Sequence, residues 1–147
     1  MARVRLAGAG DVFRIVDMVE QLRATIRGAV PVDPDWTARN VAALITGSDS
    51  AVWVTEGGFI AGSLQPTIIN PAPVAMEHGW WATDGSGLRL LRAFETWAKD
   101  RGATLIQIST GPAGPDATRL GYRLVEQAWV KSWQSSVTLR PPPSGPV

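Results

Sequence analysis

Val4 and Leu6 alternate with Arg3 and Arg5, which predicts an opening strand with one wet face. Ala7-Gly8-Ala9-Gly10-Asp11 breaks that pattern, and Asp11 is a residue type that caps helices. Val12, Ile15, Val16, Val19, Leu22 and Ile26 then recur at helical spacing, and Gly28 is a stop signal. Asp33-Pro34 predicts a second helix, because proline suits the first helical position. Trp36, Val41, Leu44 and Ile45 give that helix an apolar side, and Gly47 ends it.

The middle of the chain reads as strands. Ala51 to Thr55 is short and β-prone. Glu56-Gly57-Gly58-Phe59 predicts a tight hairpin in which the glycines supply positive φ. Phe59 to Ile69 is the expected return strand, Asn70-Pro71-Ala72-Pro73 a turn, and Val74 to Thr83 the next strand. Asp84-Gly85-Ser86-Gly87 leads into the clearest helix, with Leu88, Leu91, Phe94, Glu95 and Ala98 near one face and Leu90 and Trp97 flanking it. Lys99 and Arg101 suit the negative end of its dipole, and Gly102 stops it. Thr104 to Ser109 reads as a buried strand, Asp116 to Leu120 as one helical turn closed by Gly121, and Tyr122 to Trp133 as a last long strand. Hairpins imply antiparallel pairing. The strand–helix–strand unit from Val74 to Ser109 needs a crossover, which implies parallel pairing there. The expectation is one α/β domain over residues 1–136, a mixed and mostly antiparallel sheet flanked by helices, followed by a flexible proline-rich tail over 137–147.

Composition narrows the chemistry. The 147 residues carry a net charge of +1 with no basic stripe, which argues against nucleic-acid binding by bulk electrostatics. The absence of cysteine removes disulfides, thiolate metal sites and a thiol nucleophile, and one histidine removes multi-histidine metal sites. Asp33, Asp35 and Asp84 read as caps and turn formers, so no metal is expected. No apolar run is long enough to span a membrane, and the expected location is cytoplasmic. Of the seven tryptophans, Trp53 and Trp97 are expected to pack in the core. Trp36, Trp129 and Trp133 are candidates for a groove or an interface, with core packing the more frequent role.

Three segments, taken in order, carry a family resemblance. The first strand ends at Gly10-Asp11 before an apolar helix face. Trp80-Trp81-Ala82-Thr83-Asp84-Gly85-Ser86-Gly87-Leu88-Arg89-Leu90-Leu91 looks like a strand, pyrophosphate loop and helix. Arg119-Leu120-Gly121-Tyr122 looks like a late leucine–glycine–aromatic turn. Together they resemble the Gcn5-related N-acetyltransferases from Arg3 to Trp133. The Trp-Trp strand is also similar, more loosely, to small members encoded by phages and gene-transfer elements.

A helix N-terminus leaves backbone N–H groups unpaired and carries partial positive charge, and glycines let a phosphate come close. That physics makes Gly85, Gly87, the Ser86 hydroxyl and the amides of Leu88 and Arg89 candidates for holding a pyrophosphate. Glycines at a strand-to-helix turn also serve geometry alone. The resemblance implies acetyl-coenzyme A as cosubstrate, its pantetheine arm running along Trp80 to Thr83, so that Trp81, Ala82 and Thr83 join the cofactor-binding set. The chain departs from the family in two places. The basic lead residue of the loop is replaced by Ala82, leaving Arg89 or Arg92 as other phosphate contacts. The position at which the resemblance implies a tyrosine acid is Ala117, with Tyr122 read as packing.

Acyl transfer to an amine needs a base, and Glu77 and His78 are the candidates. Strict alternation puts Glu77 with Gly79 and Trp81 on one face and His78 with Trp80 and Ala82 on the other. Only one of the two then faces a cleft. The expected activity is transfer of an acetyl group from acetyl-coenzyme A to an amine of unspecified identity. The alternative is a catalytically silent domain of the same fold used for binding or structure, within a phage-like or gene-transfer particle. Either form is a candidate for a homodimer or a protein complex through exposed tryptophans.

Overall fold

A computed structural model describes residues 3–133. The expected tail lies outside them. The strands are β1 (Arg5–Leu6), β2 (Ser50–Val54), β3 (Gly58–Gln65), β4 (Val74–Ala82) and β5 (Ile106–Gln107); the helices are α1 (Val12–Ile26), α2 (Pro34–Thr46) and α3 (Gly87–Asp100). Spatial strand order is β1-β2-β3-β4-β5. Neighbours from β1 to β4 are antiparallel, and β4–β5 is parallel, as the α3 crossover requires.

Helices cover both faces because β2 and β3 are apolar on both. Val52, Val54, Phe59 and Ala61 pack against Val12, Ile15 and Met18 of α1 and Val41 of α2. Ala51, Trp53 and Ile60 point the other way, onto Leu90, Leu91, Phe94 and Ala98 of α3. Those four α3 side chains are fully buried, each large one contributing about 1.5–3 kcal/mol. Trp53, Phe94 and Trp97 meet with ring centroids 5.7–6.2 Å apart, placing the two expected core tryptophans there.

Several local expectations are corrected. Asp33 caps α2 through Trp36 N, but Asp11 does not cap α1. Its carboxylate turns back to Gly8 N, Arg5 and Arg14, because two guanidiniums outbid the helix amides. The left-handed residue ending α1 is Arg27 (φ 52°), not Gly28. Trp36 is exposed beneath Arg39 and takes no part in the apolar side of α2.

Gly57 and Gly58 lack positive φ. They are needed for close approach, since a Cβ on Gly58 would lie 2.8 Å from Leu90 and 2.9 Å from Ser86 Oγ. β3 stops at Gln65, where β4 begins, and Ile68 and Ile69 are exposed in a loop ordered by Thr67 and Asn70. Prolines 71 and 73 have no N–H to extend a ladder.

The run after α3 forms only the two-residue, half-buried β5. No strand follows between Tyr122 and Trp133, where Leu124, Val125, Trp129, Val130 and Trp133 are exposed. So short an edge as β5 offers little backbone against which a long strand can pair. The expected turn before it is present as a 3₁₀ turn, Ala117–Leu120, closed by Gly121 at φ 89°.

Candidate functional site

β4 carries the candidate chemistry, and a bulge decides where each side chain points. Ala61 faces Gly79 across the ladder, but Gly62 faces Glu77, so His78 is the extra residue. Trp81 pairs with Phe59 and packs on the α1/α2 side, while Trp80 and Ala82 pack on the α3 side. Counting back through the bulge puts His78 and Gly79 together on the α1/α2 face and Glu77 on the α3 face. This reverses the pairing expected from simple alternation. Gly79 inside a strand pattern is the sequence feature that signals such a bulge.

Beside the bulge the sheet opens. β5 pairs with β4 only at Ala75–Ile106 and Met76–Gln107, whereas β4 runs on to Ala82. From Glu77 onward the β5 side of β4 has no ladder. The Glu77 carboxylate sits at the point of divergence, where Ser109 N donates to its Oε1 at 3.1 Å. Burial pushes its pKa up to about 6, only partly offset by that hydrogen bond. Glu77 is therefore shifted towards neutral pH.

The loop after β4 is held by a clamp from across the sheet. Asp84 accepts from Thr55 Oγ1 at 2.8 Å, Gly57 N at 3.0 Å, Ser86 N at 3.1 Å and the Ser86 hydroxyl. Burial opposes its charge, but these donors outweigh burial and hold its pKa far below the usual carboxylate range. Thr83 N donates to Gly57 O at 2.8 Å. Ser86 is 0% exposed, with its hydroxyl also 2.9 Å from that of Thr55. That hydroxyl faces inward, which corrects the expectation that it reaches for a phosphate. Sequence reading assigned no role to Thr55, whose partner lies 29 positions away.

The outer side of the loop is made of backbone. Gly85 has φ 78° with nothing within 4 Å of a Cβ position, and Gly87 would place a Cβ 3.8 Å from Ala82 and Trp80. Trp80 Nε1 donates to Gly87 O at 3.0 Å, fixing the start of α3 to β4. Gly87, Leu88 and Arg89 occupy the first turn, whose N–H groups have no carbonyl four residues back within the helix. Beyond its chain neighbours nothing crowds the Cβ position of Gly85, and the Asp84 carboxylate nearby is turned towards four donors. Trp81, Ala82 and Thr83 lie along the adjoining end of β4 and the loop, with Trp81 Nε1 3.2 Å from Gln21 Oε1 of α1.

His78 Nε2 lies 2.6 Å from Ser63 Oγ on β3, and packing around the ring lowers its pKa. Tyr122 donates to Glu95 Oε1 at 3.0 Å, and burial together with that carboxylate raises its pKa, so it packs rather than titrates. Ala117 offers no acid. A depression of about 500 Å³ lies at the same end of the sheet, lined by Arg3, Arg5, Arg14, Thr55 and Glu56. Arg14 bridges Asp11 to the carbonyls of Thr55 and Glu56. Among the described residues no cluster of metal-ligating side chains occurs, and no helix is long and apolar enough to cross a membrane.

No protein-family model matches the chain, and a search of curated protein sequences finds no significant match. Solved structures do match. A predicted acetyltransferase from Clostridium acetobutylicum, crystallised with acetyl-CoA, is 16% identical with a TM-score of 0.74, covering 90% of this chain and 96% of its own. A transcriptional regulator from Bacillus halodurans is 20% identical with a TM-score of 0.71, over 90% and 100%. An aminoglycoside N-acetyltransferase in complex with CoA is 14% identical with a TM-score of 0.67, over 90% and 94%. At these identities the likeness speaks for architecture, and the chain has the fold of the Gcn5-related N-acetyltransferases.

Proposed function

We propose that the protein is an acetyl-CoA-dependent N-acetyltransferase acting on an amine. The observation that carries this is the divergence of β4 from β5 at Glu77, on a strand that leads into a glycine-lined helix N-terminus. Acetyl-CoA, when bound, supplies an activated thioester. The chain's own residues do the rest. The amides opening α3 and the backbone at Gly85 and Gly87 hold the diphosphate. Trp81, Ala82 and Thr83 flank the arm that runs along β4. Glu77, ionised above about pH 6, takes the proton of the attacking amine directly or through water. Fixed positioning in the cleft supplies much of the remaining rate.

A second reading rests on Asp84. Its carboxylate stands at the mouth of α3 where the fold's anion site would be, and no basic side chain leads the loop. A silent binding module with this fold would tolerate that. Calorimetry with acetyl-CoA separates the two. The enzyme reading expects saturable heat that disappears in Gly87→Val while the melting temperature stays within a few degrees. No heat and no thermal shift at millimolar acetyl-CoA ends it and leaves the module.

A further inference from the structure

The depression beside β1 has no part in the transfer scheme above. Arg3, Arg5 and Arg14 line it, with Thr55 and Glu56. Two of these guanidiniums are fixed. Arg5 holds both oxygens of Asp11 at 2.8 Å and also donates to Leu6 O. Arg14 donates to Asp11 Oδ1 at 2.9 Å and to the carbonyls of Thr55 and Glu56. Asp11 is 7% exposed, so its charge is enclosed by these partners. A guanidinium has five N–H donors. Arg5 and Arg14 each make three of these bonds, so each keeps two donors. Arg3 is exposed and makes no hydrogen bond or ion pair among the described residues, which leaves it all five. Set against Asp11, the three guanidiniums leave two positive charges on the wall. Glu56 is exposed, and water screens its carboxylate.

We propose that this depression binds a doubly charged tetrahedral oxyanion, the phosphate group of a small phosphomonoester. Planar guanidinium forks match phosphate oxygens, and two positive charges match a dianion. Forks already held by Asp11 lose little freedom when the anion arrives. The depression of about 500 Å³ exceeds what a bare phosphate fills, and the arginine stems offer apolar surface to an organic body. Thr55 separates this site from the start of α3. Its carbonyl accepts from Arg14 on one side, and its hydroxyl donates to Asp84 on the other. An oxyanion binds here whether or not the chain transfers acetyl groups.

Amide NMR titrations of the full chain with phenyl phosphate, inorganic phosphate and acetate, at pH 8 and constant ionic strength, test this. Phenyl phosphate should give saturable shifts at Arg5, Arg14 and Glu56 and bind more tightly than inorganic phosphate. Acetate, with one charge, should bind at least about tenfold more weakly than phenyl phosphate. Arg3→Gln removes no contact of the fold and should weaken phenyl phosphate about tenfold, the worth of one charge-assisted hydrogen bond. Glu56→Gln should tighten it about two- to threefold by removing an opposing charge. Arg119→Gln, in the 3₁₀ turn, changes the net charge equally and should leave the affinity unchanged, as should Gly87→Val. Absence of saturable shifts, or equal losses in Arg3→Gln and Arg119→Gln, overturns the site. So do shifts confined to Gly85 through Arg89 that vanish in Gly87→Val, which assign the anion to the start of α3. Inorganic phosphate binding as tightly as phenyl phosphate overturns the ester.

Discussion

Replacing Glu77 with glutamine should make the protein more stable and less active. The carboxyl rises from an ordinary 4.5 to about 6 on folding because burial disfavours its charge. The folded state therefore holds the proton more tightly than the unfolded chain. The sign follows from linkage: this group's contribution is fully present below pH 4.5, falls as pH rises to about 6, and stays lost above. A gap of about 1.5 pH units, at about 1.4 kcal/mol each, makes the penalty at pH 8 about 2 kcal/mol. Glutamine keeps the oxygen that accepts from Ser109 N and removes the charge. Glu77→Gln should gain up to about 2 kcal/mol at pH 8, raising the melting temperature by about 6 °C in a chain of this size. At pH 4 the two proteins should match within about 0.5 kcal/mol. Losing the base should lower kcat by roughly 10²–10⁴-fold, and the wild-type rate should climb with pH through about 6. Urea denaturation at pH 4, 6 and 8, paired with an acetyl-transfer assay, reads both sides. A variant that is less stable at pH 8, or a gain as large at pH 4, would refute the burial argument.

Other substitutions test the architecture around the site. Asp84→Ala leaves the buried Ser86 without its main acceptor and should cost about 1–3 kcal/mol by denaturant titration, with a larger loss in acetyl-CoA affinity than Asp84→Asn causes. Gly62→Ala drives a methyl group into the Phe94 ring in a packed core and should destabilise by about 1–3 kcal/mol, read as a lower denaturation midpoint. Gly85→Ala meets no atom but forces a side chain into φ 78°, so about 1–2 kcal/mol should be lost from backbone strain alone.

How much of this was legible in the residues depends on what each feature needs. α3 needs only its own periodicity and its span was readable, from the Asp84 turn to Gly102 at φ 78°, although Leu88, expected on the inner face, is exposed and Leu90, expected to flank that face, is fully buried. Asp33-Pro34 likewise marked the start of α2 within two residues of local chemistry. The mixed sheet followed from counting hairpins and one crossover. Long-range pairing escaped that reading. Alternation along β4 is a local rule, and the bulge opposite Ala61 and Gly62 shifts its phase by one residue, exchanging the faces of Glu77 and His78. The inward turn of the Ser86 hydroxyl depends on Thr55, brought near by the β2–β3 hairpin. The run from Tyr122 to Trp133 has strand-forming residues but lacks a long neighbour to pair with, and a β-strand, unlike a helix, takes its hydrogen bonds from another segment. Elements that satisfy their own backbone can be read from one stretch of chain; faces, registers and clamps are properties of two stretches at once.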